Sequence, residues 1–161
     1  MKAQYLYNSK QFEEALDLIK QYVEISAPDA VSFQMKALIY EEMGDEFNSY
    51  MNWGFCRKLQ ERFDEAVVEF NNAYQKKSDD KTVLIELARL YMQNKERFVA
   101  MEYWQKVYEL DKDEEARGIL AEFYYSEGNF EKAEEYGKVV ERKEETYVGL
   151  VDKIMAFFAK K

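Results

Sequence analysis

The amino-acid sequence predicts an all-α fold built from repeated pairs of antiparallel helices. Three observations lead to this prediction. Apolar residues recur at helical spacing along most of the chain. One proline and six glycines leave few places for the turns of a many-stranded sheet. Small residues recur in two parallel series at intervals of about 34 residues, the period of a helical repeat array. With 161 residues, 47% of them hydrophobic and 34% charged, the chain is predicted to be one soluble globular domain.

The clearest pair of helices lies between Lys81 and Asp113. Its predicted first helix carries Leu84, Leu87, Ala88 and Tyr91 on one face, and its second carries Val99, Ala100, Tyr103, Trp104 and Val107. Ser78–Asp80 precedes the pair with side chains that can cap free N–H groups, and Gln93–Lys95 forms the turn. The following segment repeats the scheme, with Leu120, Ala121, Tyr124, Ala133, Gly137 and Val140 at the equivalent positions and a turn at Gly128-Asn129.

The pattern Leu84-x-x-Leu87-Ala88-x-x-Tyr91, followed by Ala100-x-x-x-Trp104, resembles the tetratricopeptide repeat (TPR), a helix–turn–helix of about 34 residues. Small residues at the repeated positions let paired helices approach closely. The resemblance covers nearly the whole chain and implies an αα superhelix, or solenoid, of antiparallel hairpins.

The rest of the chain follows the same register. In the first hairpin, Ala3 and Leu6 are what remains of the first helix, and the second helix carries Ala15, Ile19 and Tyr22. A further first helix carries Phe33, Ala37 and Tyr40 and ends at Gly44-Asp45. The segment 47–59 fits both patterns, because Ser49, Trp53 and Cys56 suit a second helix, whereas Tyr50, Trp53 and Gly54 suit a first helix paired with Ala66, Phe70 and Ala73.

Two spacing series support this double assignment. In first helices the small residues are Ala3, Ala37, Gly54, Ala88 and Ala121, which give steps of 34, 17, 34 and 33. In second helices, Ala15, Ser49, Ala66, Ala100 and Ala133 give the same four steps. We therefore predict about ten helices with a half-repeat phase change near residues 45–60. The expected organisation is a single domain, 1–161, with an N-terminal layer (1–44), repeats at 47–80, 81–113 and 114–143, and a capping helix at 144–161. Gly54 is expected to make the tightest contact, against Ala66.

The predicted C-terminal helix, 144–161, has a broad apolar stripe of Tyr147, Leu150, Val151, Ile154, Met155 and Phe158. This stripe spans about half of the helix circumference, wider than one seam needs. Met155 and Phe157 lie at its edges and are the candidate surface for a homodimer, whereas the simpler alternative is an ordinary cap with uneven edges.

Composition excludes several classes of function. The net charge of −9 is spread along the chain, and no run of Lys or Arg could follow a phosphate backbone or an anionic membrane. The single Cys56 and the absence of His predict no disulfide, no zinc site and no activated nucleophile. Acid pairs are interpreted as solvated helix faces, and no Gly-rich loop predicts a phosphate or cofactor site. Without a signal peptide or apolar span, the expected location is the cytoplasm.

The resemblance implies a groove lined by first helices that receives an extended or helical peptide. Carried onto this chain, the candidate groove residues are Asn48, Met51, Phe55, Lys58, Ile85, Arg89, Met92, Glu122 and Tyr125. Met and aromatic side chains suit a partner with apolar anchors, and Lys58 and Arg89 could bind a carboxylate. A shift of one residue in the register would instead place these side chains in the interior. The groove is expected to belong to residues 47–161.

Two functions fit the sequence. The first is a scaffold or adaptor that binds a protein or peptide and has no catalytic activity. The second is a small acidic TPR chaperone for secreted proteins of a bacterial secretion system, which is similar only in length, charge and helical content. An enzyme has no support in the sequence. The groove set of TPR domains that clamp a C-terminal carboxylate is also missing, because the nearest positions hold Gln34, Leu38, Met51 and Phe55, with Asn52 the only match.

Overall fold

The helices of this protein follow one another as hairpins, as the repeat spacing requires. The structure is a computed structural model, and it describes residues 2–139. Within that range the elements are α1 (Lys2–Asn8), α2 (Phe12–Ile25), α3 (Ala30–Glu42), α4 (Glu46–Leu59), α5 (Phe63–Lys76), α6 (Lys81–Gln93), α7 (Arg97–Asp111), α8 (Glu114–Ser126) and α9 (Phe130–Glu135). The all-α prediction is confirmed. The predicted capping helix at 144–161 lies outside the described residues.

The chain divides into two compact units, and the boundary between them falls within α8. The first unit runs to Leu120 and the second begins at Ala121. In the first unit, each helix packs mainly against its neighbours in sequence. Its apolar core includes two clusters that lie wholly among the described residues. One joins α4, α5 and α6 through Met51, Ala66, Phe70, Ala73, Val83, Leu87 and Leu90, and the other joins α1, α2 and α3 through Leu6, Ala15, Ile19 and Ile39.

One turn geometry recurs wherever two helices form a hairpin. In each turn a residue with φ between 59° and 75° is followed by a residue whose backbone N–H donates to the carbonyl five residues earlier, at 2.8–2.9 Å. This is the Schellman arrangement, which satisfies carbonyl groups left free at a helix end. The residues with positive φ are Lys10, Gly44, Glu61, Lys95 and Gly128.

These turns lie 34, 17, 34 and 33 residues apart, counting 10 to 44, 44 to 61, 61 to 95 and 95 to 128. These four spacings equal the spacings between the small residues of first helices and between those of second helices in the sequence. The turn before α4 and the turn after it are therefore both hairpin turns. α4 also packs about as extensively on α3 as on α5. The predicted half-repeat phase change near residues 45–60 is confirmed, and α4 belongs to two hairpins.

Three connections between hairpins each end at an aspartate. Asp29, Asp80 and Asp113 each accept a backbone N–H from the residue three positions later, at 2.7, 3.1 and 2.8 Å. Such carboxylates satisfy free N–H groups at a helix N-terminus. The first two caps are separated by 80 − 29 = 51 residues, and the last two by 113 − 80 = 33. Three helices therefore lie between the first two caps, where a regular repeat array has two.

Gly54 makes a tight contact, although not with the predicted neighbour. A Cβ atom added to Gly54 would lie 2.8 Å from the ring of Phe70, whereas the prediction named Ala66. Phe70 comes one helical turn after Ala66, so both lie on the face of α5 that meets α4, and the larger side chain reaches the glycine. Both α5 residues are fully buried.

The second helix of the last described hairpin ends earlier than its sequence predicts. α9 stops at Glu135, and Gly137 has φ of 86°. The N–H of Lys138 donates to the carbonyl of Ala133 at 2.9 Å, which closes a Schellman turn. The sequence predicts Gly137 at the helical position equivalent to Trp104, and this prediction is wrong. Glycine readily adopts the left-handed conformation that ends a helix, whereas tryptophan continues one.

Candidate functional site

The exposed candidate residues of the first unit, Arg89 and Met92, lie on one face of α6 together with the half-buried Ile85. Ile85, Arg89 and Met92 are four and three residues apart, so they share one side of the helix. Ile85 is half-buried, and Arg89 and Met92 are exposed, Met92 by 40%. The opposite side of α6 carries Leu84, Leu87 and Ala88 in the core. This face, called the α6 face below, therefore offers two apolar side chains with a cation between them.

A side-chain ion pair links α4 to α6 beside the α6 face. The ammonium of Lys58 donates to the carboxylate of Glu86, whose side chain is only 9% exposed. The same ammonium lies 5.5 Å from the ring centroid of Phe55. Glu86 is one of three buried polar or charged residues in the described chain, and this pairing compensates its charge. Lys58 thus holds two helices together, and its charge is already neutralised.

Arg89 has a weaker partner. Its guanidinium lies 3.2 Å from the carboxylate of Glu115 at the start of α8, and the two side chains are 53% and 60% exposed. An exposed pair of this kind contributes about 0–1 kcal/mol, because water screens it and both side chains lose freedom. The sequence predicted that Lys58 and Arg89 could bind a carboxylate. Of the two, Arg89 can exchange its partner at little cost.

The candidates on α4 are covered to different degrees. Met51 is 8% exposed and belongs to the core cluster with Phe70, which contradicts its expected place on a groove surface. Phe55 is half-buried, stacked on Phe33 of α3 at 5.1 Å and edge-to-face with Phe70 of α5 at 5.2 Å. The physical reason is the double role of α4, because helices on both sides of it cover the face that a regular first helix would expose.

Asn48 has a local structural contact. It lies in the first turn of α4, where its side-chain amide donates to the carboxylate of Asp45 at 2.7 Å and its backbone N–H donates to the same carboxylate at 3.1 Å. Asp45 caps α4, so Asn48 takes part in fixing the start of this helix.

The candidates Glu122 and Tyr125 lie on the part of α8 that belongs to the second unit. Both are exposed. Lys138 forms an ion pair with Glu122, and its ammonium lies 5.0 Å from the ring centroid of Tyr125. Tyr125 also contacts Phe130, with 5.6 Å between ring centroids. The candidates Met155 and Phe157 lie outside the described residues.

A feature that the sequence reasoning missed is an apolar cleft among α1, α2 and α3. Its volume is about 670 Å³, and its lining includes Leu18, Ile19, Tyr22, Ile25, Val31 and Met35. Tyr22, which the sequence predicts on the second helix of the first hairpin, is 49% exposed, and its hydroxyl donates to Asp29 at 3.1 Å. Ile25 and Val31, which are apolar and lie at the end of α2 and the start of α3, were the sequence signal that could have indicated this cleft.

The described residues offer little chemistry of other kinds. Among residues 2–139, no group of three metal-ligating side chains comes together, and no helix is long and apolar enough to cross a membrane. Burial raises the pKa of the Cys56 thiol, which keeps it protonated and unreactive. The accessible site residues can therefore offer apolar contacts and charge pairing.

The fold and these faces define a class, an all-helical repeat protein whose hairpins follow TPR spacing. No protein-family model matches the sequence, and a comparison with curated proteins finds no match. Among solved structures, it is similar to TPR-like helical repeat proteins. A MamA structure from AMB-1 has 15% identity and a TM-score of 0.53, covering 87% of this chain and 91% of that one. A second MamA structure has 13% identity and a TM-score of 0.52, covering 83% and 89%. At these identities the likeness shows the fold.

Proposed function

We propose that this protein is an interaction scaffold, without catalysis of its own, that binds a peptide segment of another protein on the α6 face. The observation that carries the proposal is the row formed by the half-buried Ile85 and the exposed Arg89 and Met92 on one side of α6. Helical repeats use such rows to bind extended or helical peptides. A repeat that only had to pack could carry polar residues at all three positions.

The covering of α4 limits the length of this site. Met51 is in the core and Phe55 lies between two other rings, so an incoming peptide would meet α6 and only the edge of α4. The expected ligand has one apolar anchor, which packs against the flexible side chain of Met92, and one acidic group three or four residues away. That acidic group would replace Glu115 as the partner of Arg89.

Selection from a random peptide library tests this proposal. Peptides enriched on the wild-type protein should contain an acidic residue near an aliphatic or aromatic one. Arg89→Glu should weaken their binding about tenfold, equivalent to about 1.4 kcal/mol. Ile85→Glu should weaken it as well, because the new carboxylate lies four residues before Arg89 on the same side of α6 and can pair with it in place of the acidic group of the ligand.

Two matched variants make the test specific. Val68→Glu adds the same charge at a 58% exposed residue on the side of α5 away from Ala66 and Phe70, and it should leave binding unchanged. Glu115→Gln should strengthen binding, because it removes the internal competitor for Arg89. Circular dichroism confirms that each variant is folded. Selected peptides that bind Ile85→Glu and Arg89→Glu as tightly as wild type would refute the α6 face as the site.

A further inference from the structure

A lysine occupies an apolar position of the repeat on α3. From α3 onward, the residue that precedes the small residue of each first helix is Lys36, Trp53, Leu87 or Leu120. Leu87 and Leu120 are fully buried, and Trp53 is half-buried. Burial at this position favours a large apolar side chain, because removing apolar surface from water is stabilising. Lys36 departs from that pattern and places a charge there.

The described residues leave the charge of Lys36 without an anion. The residue is half-buried, and burial lowers the pKa of its ammonium, because it removes part of the water that stabilises the charged form. No carboxylate among residues 2–139 pairs with it, and the ammonium lies 5.7 Å from the ring centroid of Phe33, close to the outer limit of a cation–π contact. A partly desolvated cation attracts an incoming anion more strongly than an exposed one, because water screens the pair less.

Half-buried side chains connect Lys36 to the α6 face. Phe33 stacks on Phe55 of α4, with 5.1 Å between ring centroids. The ammonium of Lys58 lies 5.5 Å from the centroid of Phe55 and pairs with Glu86 of α6. These distances follow one another, so about five residues of an extended peptide suffice to span from the ammonium of Lys36 to that of Lys58.

We propose that Lys36 binds a carboxylate of the same peptide that binds the α6 face. This inference rests on the proposed function, and it adds a second acidic residue to the expected ligand. One carboxylate pairs with Arg89, and the other pairs with Lys36 beyond the stacked rings of Phe33 and Phe55. The peptide residues between the two carboxylates cross the edge of α4, where the accessible parts of those rings favour apolar side chains.

The stability of a neutral variant separates this role from a role in the fold. Lys36→Met keeps a long flexible side chain beside Phe33 and removes the charge. A residue that serves the fold loses stability when it is replaced, whereas removing a partly desolvated, unpaired charge is stabilising. We therefore expect Lys36→Met to unfold at a higher urea concentration than wild type, although it binds the peptide more weakly.

A cycle of protein and peptide variants tests the contact on the full chain. The probe is a peptide that is selected on the wild-type protein, contains two acidic residues and has an amidated C-terminus, and each acidic residue is replaced by Gln in turn. Each replacement should weaken binding to wild type about fivefold in isothermal titration calorimetry. In Lys36→Met one of the two replacements should have no further effect, and in Arg89→Gln the other should have none. Lys20→Met, the matched control, removes an exposed lysine of α2 and should bind all three peptides like wild type.

The outcomes distinguish failure of this inference from failure of the proposed function. If Arg89→Glu and Ile85→Glu bind selected peptides like wild type, the α6 face is not the site, and the inference is overturned with it. If those variants weaken binding, any of three results overturns the inference alone. These are selected peptides without a second acidic residue, a Lys36→Met protein in which both Gln replacements still weaken binding, and a lower urea midpoint for Lys36→Met than for wild type.

Discussion

The contact between Gly54 and Phe70 gives the sharpest test of the shared helix. A Cβ atom on Gly54 would lie 2.8 Å from the Phe70 ring, well inside the carbon–carbon separation of about 3.5–4.0 Å at which contacts are favourable. Phe70 is fully buried, so its ring can move only by disturbing α4 and α6. We expect the overpacking in Gly54→Ala to cost about 1–3 kcal/mol.

Helix propensity acts in the opposite direction and must be measured separately. Replacing a helical glycine by alanine stabilises a helix by about 1 kcal/mol. Gly118 supplies the control, because it lies in α8, is exposed and has nothing within 4 Å of its added Cβ. Gly118→Ala should therefore stabilise the protein by about 1 kcal/mol. The free energy of unfolding of Gly54→Ala should lie about 1–3 kcal/mol below that of Gly118→Ala.

The assay is urea denaturation followed by far-ultraviolet circular dichroism, with the denaturant slope compared among variants. A second variant, Gly54→Ala with Phe70→Leu, replaces the ring by a smaller aliphatic side chain and should lose less stability than the sum of the two single substitutions. We expect a coupling energy of about 1 kcal/mol between the two sites. The reasoning is refuted if Gly54→Ala stabilises as much as Gly118→Ala, since α4 and α5 would then not be in close contact at Gly54.

The remaining predictions concern a turn, a cap and an ion pair. Glu61→Gly should stabilise the protein by about 0.5–1 kcal/mol, because glycine adopts the φ of 59° at this position without strain. The control Gln60→Gly, at a residue with φ of −86°, should destabilise the protein in the same urea titration. The backbone N–H of Ser32 donates to the Asp29 carboxylate and lowers its pKa. The stabilising contribution of Asp29 is therefore full above about pH 4, the pKa of an unfolded Asp, and is lost as the pH falls through the lowered pKa of the folded state. The difference in unfolding free energy between wild type and Asp29→Asn should shrink on acidification from about pH 6 to about pH 2. Lys58→Met should cost about 1–2 kcal/mol, reduced by the partial exposure of Lys58, because it leaves Glu86 buried and unpaired. Adding Glu86→Gln should recover part of that loss, and equal stability of Lys58→Met and wild type would contradict the proposed role of the pair.

The fold was predictable to the level of single turns. The 17-residue step between Ala37 and Gly54 in the sequence reappears as the step between the turns at Gly44 and Glu61. Both depend on local rules, because a hairpin turn closes through backbone bonds five residues apart and small residues recur where paired helices cross. Gly137 was misplaced because its small size fits a close helix contact and a left-handed turn equally well.

The candidate site was predictable only in part. The 34-residue step places Met51, Phe55 and Lys58 of one first helix at the positions that Ile85, Arg89 and Met92 occupy on another. The register therefore predicts which side of its helix each residue occupies. Whether that side is accessible depends on helices far away in the sequence. On α4 the side is covered, because Phe33 of α3 and Phe70 of α5 pack against Phe55. On α6 the corresponding side is left accessible.

The sequence alone determined the helical class, the repeat spacing and the half-repeat at α4, because these follow from short-range hydrogen bonding and the size of side chains at fixed intervals. Only the tertiary structure decided which surfaces are available for binding. It placed Met51 in the core, paired Lys58 with Glu86 and lined an apolar cleft with Tyr22 and Ile25. The physical reason is that the exposure of a side chain depends on which helices pack against it, and those contacts exist only in the folded protein.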